Sequence, residues 1–157
     1  MSDSEKIYLT AEGEQELRKE YDQLVNEKRP ALAIKLKEAV AQGDLKENAD
    51  YHDAKEQQAF VEGRIQYLEN VLRSAEIISN DGKNDIVRLG SEVTIRFDGE
   101  DEDETYLIVG AAEANPSEGK ISHESPIGKA LINHKKGDKV RAQTPSGEII
   151  CKIRKIK

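Results

Sequence analysis

The sequence is poor in the residues that build one large apolar core. Trp is absent, and aromatic residues make up only 4% of the 157 residues, whereas charged residues reach 35%. This composition is low in apolar bulk for a single compact domain and suits an extended helical element beside a small β domain. The apolar residues nevertheless recur with clear periods, which argues against wholesale disorder.

Cysteine is also scarce. Cys151 is the only cysteine of the sequence. One cysteine cannot form a disulfide framework or a cysteine-rich zinc site within one chain. Cys151 alternates with Ile149 and Ile153, which predicts a buried, small apolar side chain.

No run approaches the roughly 18 apolar residues of a membrane span, and residues 1–6 lack the apolar segment of a signal peptide. We therefore expect a cytoplasmic protein.

Helical patterns dominate the first half of the chain. Thr10 is a good N-cap for a first helix, Pro30 predicts a kink or a restart in it, and Gly43 can end it. A second helix is predicted from near Asp44 or Leu45 to about Ala75. Its apolar seam alternates spacings of four and three, at Ala54, Gln58, Val61, Ile65, Leu68, Leu72 and Ala75.

Two long helices joined by a very short link must turn back on each other. The sequence therefore predicts an antiparallel coiled-coil hairpin over residues 1–78, with its tip at about 43–48. Each arm of about 30 residues, at about 1.5 Å per residue, would be on the order of 45 Å long.

Residues 79–157 follow a different pattern. A linker is indicated at residues 79–85 by its Ser, Asn, Asp and Gly content. After it the apolar period changes to two, which is typical of strands. We predict strands near Val93–Phe97, Tyr106–Val109, Lys120–Ser122, Asp138–Gln143 and Glu148–Ile156, an acidic hairpin loop at residues 100–104 and a turn at residues 145–147. One short helix is predicted at residues 125–133, with Ser125 as cap and Pro126 at its first position. The fold class is α+β.

Asp44 and Glu47 are the candidate site residues, and the residues alone leave two interpretations open. An Asp-x-x-Glu pattern at a helix start resembles a capping box, in which both acids serve the helix. Alternatively, the two carboxylates are Mg²⁺ ligands, since magnesium prefers oxygen donors and takes one or two protein carboxylates. Two acids alone would hold the ion weakly, so a second protein would have to supply the remaining ligands.

Two further charged clusters carry weaker signals. Asp50, His52, Asp53 and Glu56 form an acidic helical stretch that could bind a cation but is more often a solvated face. The cationic residues Lys135, Lys136, Lys139 and Arg141 form a basic cluster in a chain whose net charge is −7. A solvated surface, a partner contact and a nucleic-acid contact all stay open for the basic cluster.

Residues 43–51 read Gly-Asp-Leu-Lys-Glu-Asn-Ala-Asp-Tyr, and residues 54–58 read Ala-Lys-Glu-Gln-Gln. These two segments, around the predicted tip, carry the strongest part of a resemblance to the Gre family of bacterial transcription elongation factors, GreA type. It extends to Leu9–Gly13, Arg29–Pro30, Glu62–Ile65, Ile108–Gly110, Gly119–Ser122, Ser125–Ile132 and Gly137–Asp138, and so spans nearly the whole chain. Lys46 is a departure, because many relatives have Ser between the two acids.

The resemblance implies a specific activity. Gre factors bind RNA polymerase at its secondary channel, where the coiled coil enters and a C-terminal domain of FKBP-like fold grips the rim. They stimulate the polymerase's own cleavage of backtracked RNA and are not enzymes themselves. By this resemblance, Asp44 and Glu47 would help to hold a second Mg²⁺ shared with the polymerase, near the nascent RNA 3′ end. The rim contact would fall near Glu124, Ser125 and Pro126, and the factor would be a monomer.

Three other functions compete with this one. A Gre-like inhibitor would enter the same channel and block catalysis, although inhibitory relatives carry an altered, more acidic tip. A peptidyl-prolyl isomerase or chaperone would need an aromatic-lined pocket, for which residues 79–157 offer only Phe97 and Tyr106. A stand-alone metal-dependent nuclease would need more than two carboxylates.

Overall fold

The computed structural model describes residues 6–79, 82 and 85–157. These residues form two compact units. One unit is Glu14–Ser74, and the other combines the described residues up to Gly13 with Ala75–Lys157. Most of the predicted linker, at positions 80, 81, 83 and 84, lies outside the described residues.

The first arm of the hairpin contains three consecutive helical segments. They are α1 (Ala11–Gln23), a π-helical segment (Leu24–Lys28) and α2 (Arg29–Ala41). The Thr10 hydroxyl accepts a hydrogen bond from the Gly13 N–H at 3.0 Å, which confirms the predicted cap. Pro30 has no N–H to donate, and the helix just before it takes the wider π form, with the Arg29 N–H donating to the Leu24 carbonyl. The predicted restart is therefore a change of helix type within a continuous arm.

The second arm is a single helix, α3 (Ala49–Ser74). Its buried residues include Ala54, Val61, Ile65 and Leu68, as the predicted seam requires. The seam then continues at Val71, which is buried, in preference to the half-buried Leu72. The predicted start near Asp44 or Leu45 was wrong, because α3 begins four or five residues later, at Ala49.

Salt bridges between the two arms show how the arms are paired. Salt bridges join Arg29 to Glu62 at 2.7 Å, Lys35 to Asp53 at 2.8 Å and Arg64 to Glu20 at 2.7 Å. Each pair is partly exposed to solvent, so each contributes little to stability by itself. Their order along the chain requires antiparallel arms, which confirms the predicted hairpin.

The other unit contains a five-stranded sheet. Its strands are β3 (Glu92–Phe97), β4 (Glu104–Val109), β5 (Lys120–Ser122), β6 (Lys139–Thr144) and β7 (Gly147–Ile156), in the order β5-β4-β3-β7-β6. All neighbours are antiparallel except β4 and β5. All five strands occur where the sequence predicted them, within two residues. The predicted loop and turn are each one residue shorter, because Glu104 begins β4 and Gly147 begins β7.

One helix, α4 (Pro126–Leu131), packs against this sheet. Leu131 is fully buried with Ile95, Ile108 and Ile153 of the strands. Cys151 is 1% exposed in the same core, and this burial raises the pKa of its thiol. The predicted helix, its Pro126 start and the buried cysteine are thus confirmed.

A short parallel pair of strands was not predicted. β1 (Ile7–Thr10) lies beside β2 (Ala75–Ile78), with Leu9 opposite Ile77. Because of this pair, both ends of the hairpin segment belong to the unit that contains the large sheet. The predicted division at residue 78 counted these strands with the coiled coil. No helix in the described ranges is both long and apolar enough to cross a membrane.

Candidate functional site at the hairpin tip

The tip is the loop of residues 42–48 between α2 and α3, and Gly43 opens it. The Gln42 N–H donates to the Ala39 carbonyl at 3.2 Å, and the Gly43 N–H donates to the Val40 carbonyl at 3.3 Å. These bonds close the last turn of α2. Gly43 has φ +112, a conformation that favours glycine. The predicted helix end at Gly43 is confirmed.

The Asp44 side chain shapes the loop locally. One carboxylate oxygen of Asp44 accepts from the Lys46 N–H at 3.0 Å. This Asx-type turn is common for Asp because its short side chain reaches the backbone two residues later. The bond occupies one acceptor position of a carboxylate that has about four. Asp44 therefore keeps capacity for another ligand.

Asp44 and Glu47 are exposed and line one open concavity of about 380 Å³. Asp50, from the first turn of α3, lines it too. Within the described ranges, the Glu47 carboxylate has no hydrogen-bond or ion-pair partner. No three His, Cys, Asp or Glu side chains of those ranges are grouped so as to hold a metal ion. The tip thus presents carboxylates without forming a complete metal site of its own.

The capping-box interpretation of Asp44 and Glu47 was wrong. The N-cap of α3 is Asn48, whose side-chain oxygen accepts from the Tyr51 N–H at 3.0 Å. Asp44 lies four residues before this cap and Glu47 one residue before it, so neither acid caps the helix. Sequence reasoning missed Asn48, although Asn is among the best N-cap residues, because the Asp-x-x-Glu pattern offered an earlier start.

The acidic stretch after the tip divides between two environments. Asp50 faces the concavity, whereas Asp53 pairs with Lys35 on the opposite arm and accepts from the Gln57 amide at 2.9 Å. The Lys35 ammonium lowers the pKa of the Asp53 carboxyl. His52 lies 3.1 Å from the Lys46 carbonyl through its Nε2, which must therefore carry the proton and donate. These contacts make Asp53 and His52 structural groups.

The predicted partner-binding residues lie at the start of α4, in the unit that contains the sheet. The Ser125 hydroxyl accepts from the Gly128 N–H at 3.1 Å and donates to the Ser122 carbonyl at 2.6 Å. Ser125 is therefore a confirmed helix cap. Glu124 and Pro126 are exposed, so they are the residues of this group that a partner could reach.

The basic cluster is partly neutralised by neighbouring acids. The Lys135 N–H donates to the Asp138 carboxylate at 2.9 Å, and this bond lowers the pKa of that carboxyl. Lys139 pairs with Asp98 at 3.5 Å, and Arg141 pairs with Glu148 at 3.8 Å. Such pairing is typical of a solvated surface.

The two aromatic residues of the sheet, Phe97 and Tyr106, are both partly buried against its core. Phe97 borders a concavity of about 480 Å³ with the carboxylates Asp98, Glu100, Glu104 and Glu148. Tyr106 packs against the core, and burial together with a hydrogen bond to Glu104 raises its pKa to about 12. Ile149 and Ile150 complete the lining, so a ligand there would meet three apolar side chains together with four acidic ones.

The sequence matches two families of known proteins. Residues 7–77 match the family described as "Transcription elongation factor, N-terminal", and residues 82–157 match "Transcription elongation factor, GreA/GreB, C-term". The division between these matches falls in the predicted linker region. The two matched segments together span nearly the whole sequence.

Two relatives compared by sequence give the same result. The chain is 49% identical to transcription elongation factor GreA of Thermomicrobium roseum, over 95% of this chain and 96% of the relative. It is 48% identical to GreA of Bacillus subtilis strain 168, over 97% of this chain and 98% of the relative. The crystal structure of GreA factor homolog 1 (Gfh1) of Thermus thermophilus aligns with 30% identity, over 97% of this chain and 99% of that one, with a TM-score of 0.45. On the two sequence matches and the near full-length identities, this chain belongs to the GreA/GreB family of transcription elongation factors.

Proposed function

We propose that this protein enters the secondary channel of RNA polymerase and stimulates the polymerase's own cleavage of backtracked RNA, so that arrested complexes resume elongation. The observation that carries the proposal is the tip, where Asp44 and Glu47 lie exposed on one concavity with no role in capping α3. Exposed acids at the turn of a coiled-coil hairpin can be delivered into a narrow site of a partner.

The donor set at the tip fits a shared Mg²⁺. Asp44 and Glu47 offer hard oxygen donors, and two carboxylates are a usual protein share for magnesium. The remaining ligands would come from the polymerase and the RNA phosphate. When bound there, a second Mg²⁺ would lower the pKa of an attacking water and stabilise charge on the transferring phosphate.

The chain's own contribution is positional. The hairpin holds both carboxylates in a fixed arrangement at the scissile phosphate. This preorganisation lowers the entropic cost of bringing the reacting groups together. The carboxylates orient the water and balance the positive charge at the site. Lys46, which lies between them, forms no ion pair with either acid among the described residues, so its ammonium is available to an RNA phosphate.

The sheet-containing unit would provide the partner contact. We infer that Glu124 and Pro126, beside the Ser125 cap, meet the rim of the channel. The five-stranded sheet with one packed helix is compatible with the FKBP-like fold expected for residues 79–157. We propose that the protein acts as a monomer in the bacterial cytoplasm, where the polymerase works.

A stalled, backtracked elongation complex from the cognate polymerase tests this function. RNA labelled at its 5′ end is followed with and without the wild-type protein at fixed Mg²⁺. The proposal predicts shortened RNA that can be extended again when nucleotides are added. Slower elongation without cleavage would favour a channel inhibitor instead, and an absence of both binding and cleavage would reject the proposal.

A further inference from the structure

We infer that Asn48 is a positioning residue for the tip carboxylates, because it ties the two arms of the hairpin together at the base of the loop that carries them. This inference rests on the proposed function of Asp44 and Glu47. Asn48 itself would touch neither the metal ion nor the RNA in this role.

The Asn48 amide makes one bond to each arm. Its Nδ2 donates to the Ala39 carbonyl of α2 at 2.6 Å, and its Oδ1 accepts from the Tyr51 N–H of α3 at 3.0 Å. The two partners settle the orientation of the amide, since a carbonyl only accepts and an N–H only donates. The side chain is partly buried, whereas residues 42–47 are all exposed.

Apart from the Gln42 and Gly43 N–H bonds that close the last turn of α2, two contacts made by side chains hold the loop. Asp44 accepts from the Lys46 N–H within the loop, and His52 donates to the Lys46 carbonyl from α3. Neither of these contacts reaches the first arm. The Asn48 Nδ2 bond therefore links the end of α2 to the start of α3 directly, and it fixes the separation of the two points from which the loop begins and ends.

Helix capping alone does not account for this geometry. A cap needs only an acceptor for the orphan N–H groups, and Asp or Ser serves as well as Asn in that role. The donor to Ala39 requires an amide, because Asp has no donor when ionised and the Ser side chain is shorter. The two functions of Asn48 can therefore be separated by substitution.

The test uses the full chain in three forms, namely wild type, Asn48→Asp and Asn48→Ser. Both variants keep the cap and lose the bond to Ala39, and the Ser variant adds no charge near the tip. Loss of this one bond should lower the melting temperature by only about 2–4 °C, so both variants stay folded in the cleavage assay. Cleavage of backtracked RNA is then measured against factor concentration, which separates the maximal rate from the half-saturating concentration.

We expect the maximal cleavage rate to fall about 10- to 100-fold in both variants, because small misplacements of a reacting group have effects of this size. The half-saturating concentration should change less than about twofold, since the partner contact is untouched. A maximal rate equal to that of the wild type in either variant would overturn the inference, as would a loss explained wholly by lower stability or weaker binding.

An Asp44→Asn variant run beside them separates this inference from the proposed function. If Asp44→Asn abolishes cleavage while both Asn48 variants remain fully active, the role of Asn48 is rejected and the proposed function stands. If Asp44→Asn remains fully active, the proposed role of the tip fails, and the positioning role of Asn48 fails with it.

Discussion

The two groups of predicted site residues differ in what they do for the fold. At the tip, Asp44 makes one bond within its own loop and Glu47 makes none among the described residues. At the start of α4, Ser125 holds both the helix cap and the preceding turn. The tip acids can be substituted to test their chemistry without disturbing the fold. A substitution at Ser125 changes both the helix cap and the proposed polymerase contact.

Removal of the charge of either tip acid should have the largest effect. We expect Glu47→Gln to lower the maximal cleavage rate by a factor on the order of 100 or more, as for other transition-state charge interactions. Glu56→Gln is the matched control, because Glu56 is an exposed acid of α3 that does not line the tip concavity. Equal activity of the two variants would contradict the role of Glu47.

A substitution at Gly110 should instead act on stability. A Cβ at this position would lie 1.8 Å from the Tyr8 carbonyl oxygen of β1, so the strand pair would have to shift. We expect Gly110→Ala to cost about 1–3 kcal/mol of unfolding free energy. Gly63→Ala, where a Cβ meets no atom within 4 Å, serves as the control in denaturant unfolding.

Ser125 and Glu124 should separate stability from binding in the other predicted site. Ser125→Ala removes the cap of α4 and should cost about 1 kcal/mol. Glu124→Lys should leave unfolding nearly unchanged, because the Glu124 side chain is exposed, yet weaken binding to the polymerase. Binding to the polymerase, in competition with the wild-type protein, and thermal unfolding are measured on the same samples. If Glu124→Lys binds as well as the wild type, Glu124 is not part of the contact.

The smallest effect should come from a surface pair of the coiled coil. The Arg29 guanidinium lowers the pKa of the Glu62 carboxyl. A lowered pKa in the folded state means that Glu62 stabilises the fold above its unfolded pKa, and this contribution is lost as pH falls through the folded value. When the pH is lowered below about 4.5, the melting temperature of Glu62→Gln should therefore fall less than that of the wild type. An unchanged pH profile would show that the pair contributes nothing measurable.

The sequence was sufficient wherever a pattern repeats. The seam through Val61, Ile65 and Leu68 and the alternation at Val93 and Ile95 each repeat a local rule several times, so the elements were predicted correctly. The caps at Thr10 and Ser125 were predictable for a different reason: each hydroxyl accepts from an N–H only three residues later.

The failures occur where the deciding contact is distant in sequence. β1 has only four residues, and its partner β2 begins at Ala75, so no local pattern marks the pairing. The start of α3 was misplaced because two capping patterns compete within five residues. Asn48 prevails because its amide also reaches Ala39 on the other arm, and single-helix reasoning cannot see that contact.

The central claim is that the tip carboxylates act in the polymerase's cleavage of RNA, and Asp44→Asn tests it most directly. Asn keeps an oxygen that can accept from the Lys46 N–H, so the loop bond at 3.0 Å can survive while the charge is lost. Wild type and variant are compared in one backtracked complex at fixed Mg²⁺ and saturating factor. We predict shortened RNA with the wild type and none above background with the variant, at equal binding. Full cleavage by Asp44→Asn would contradict the account.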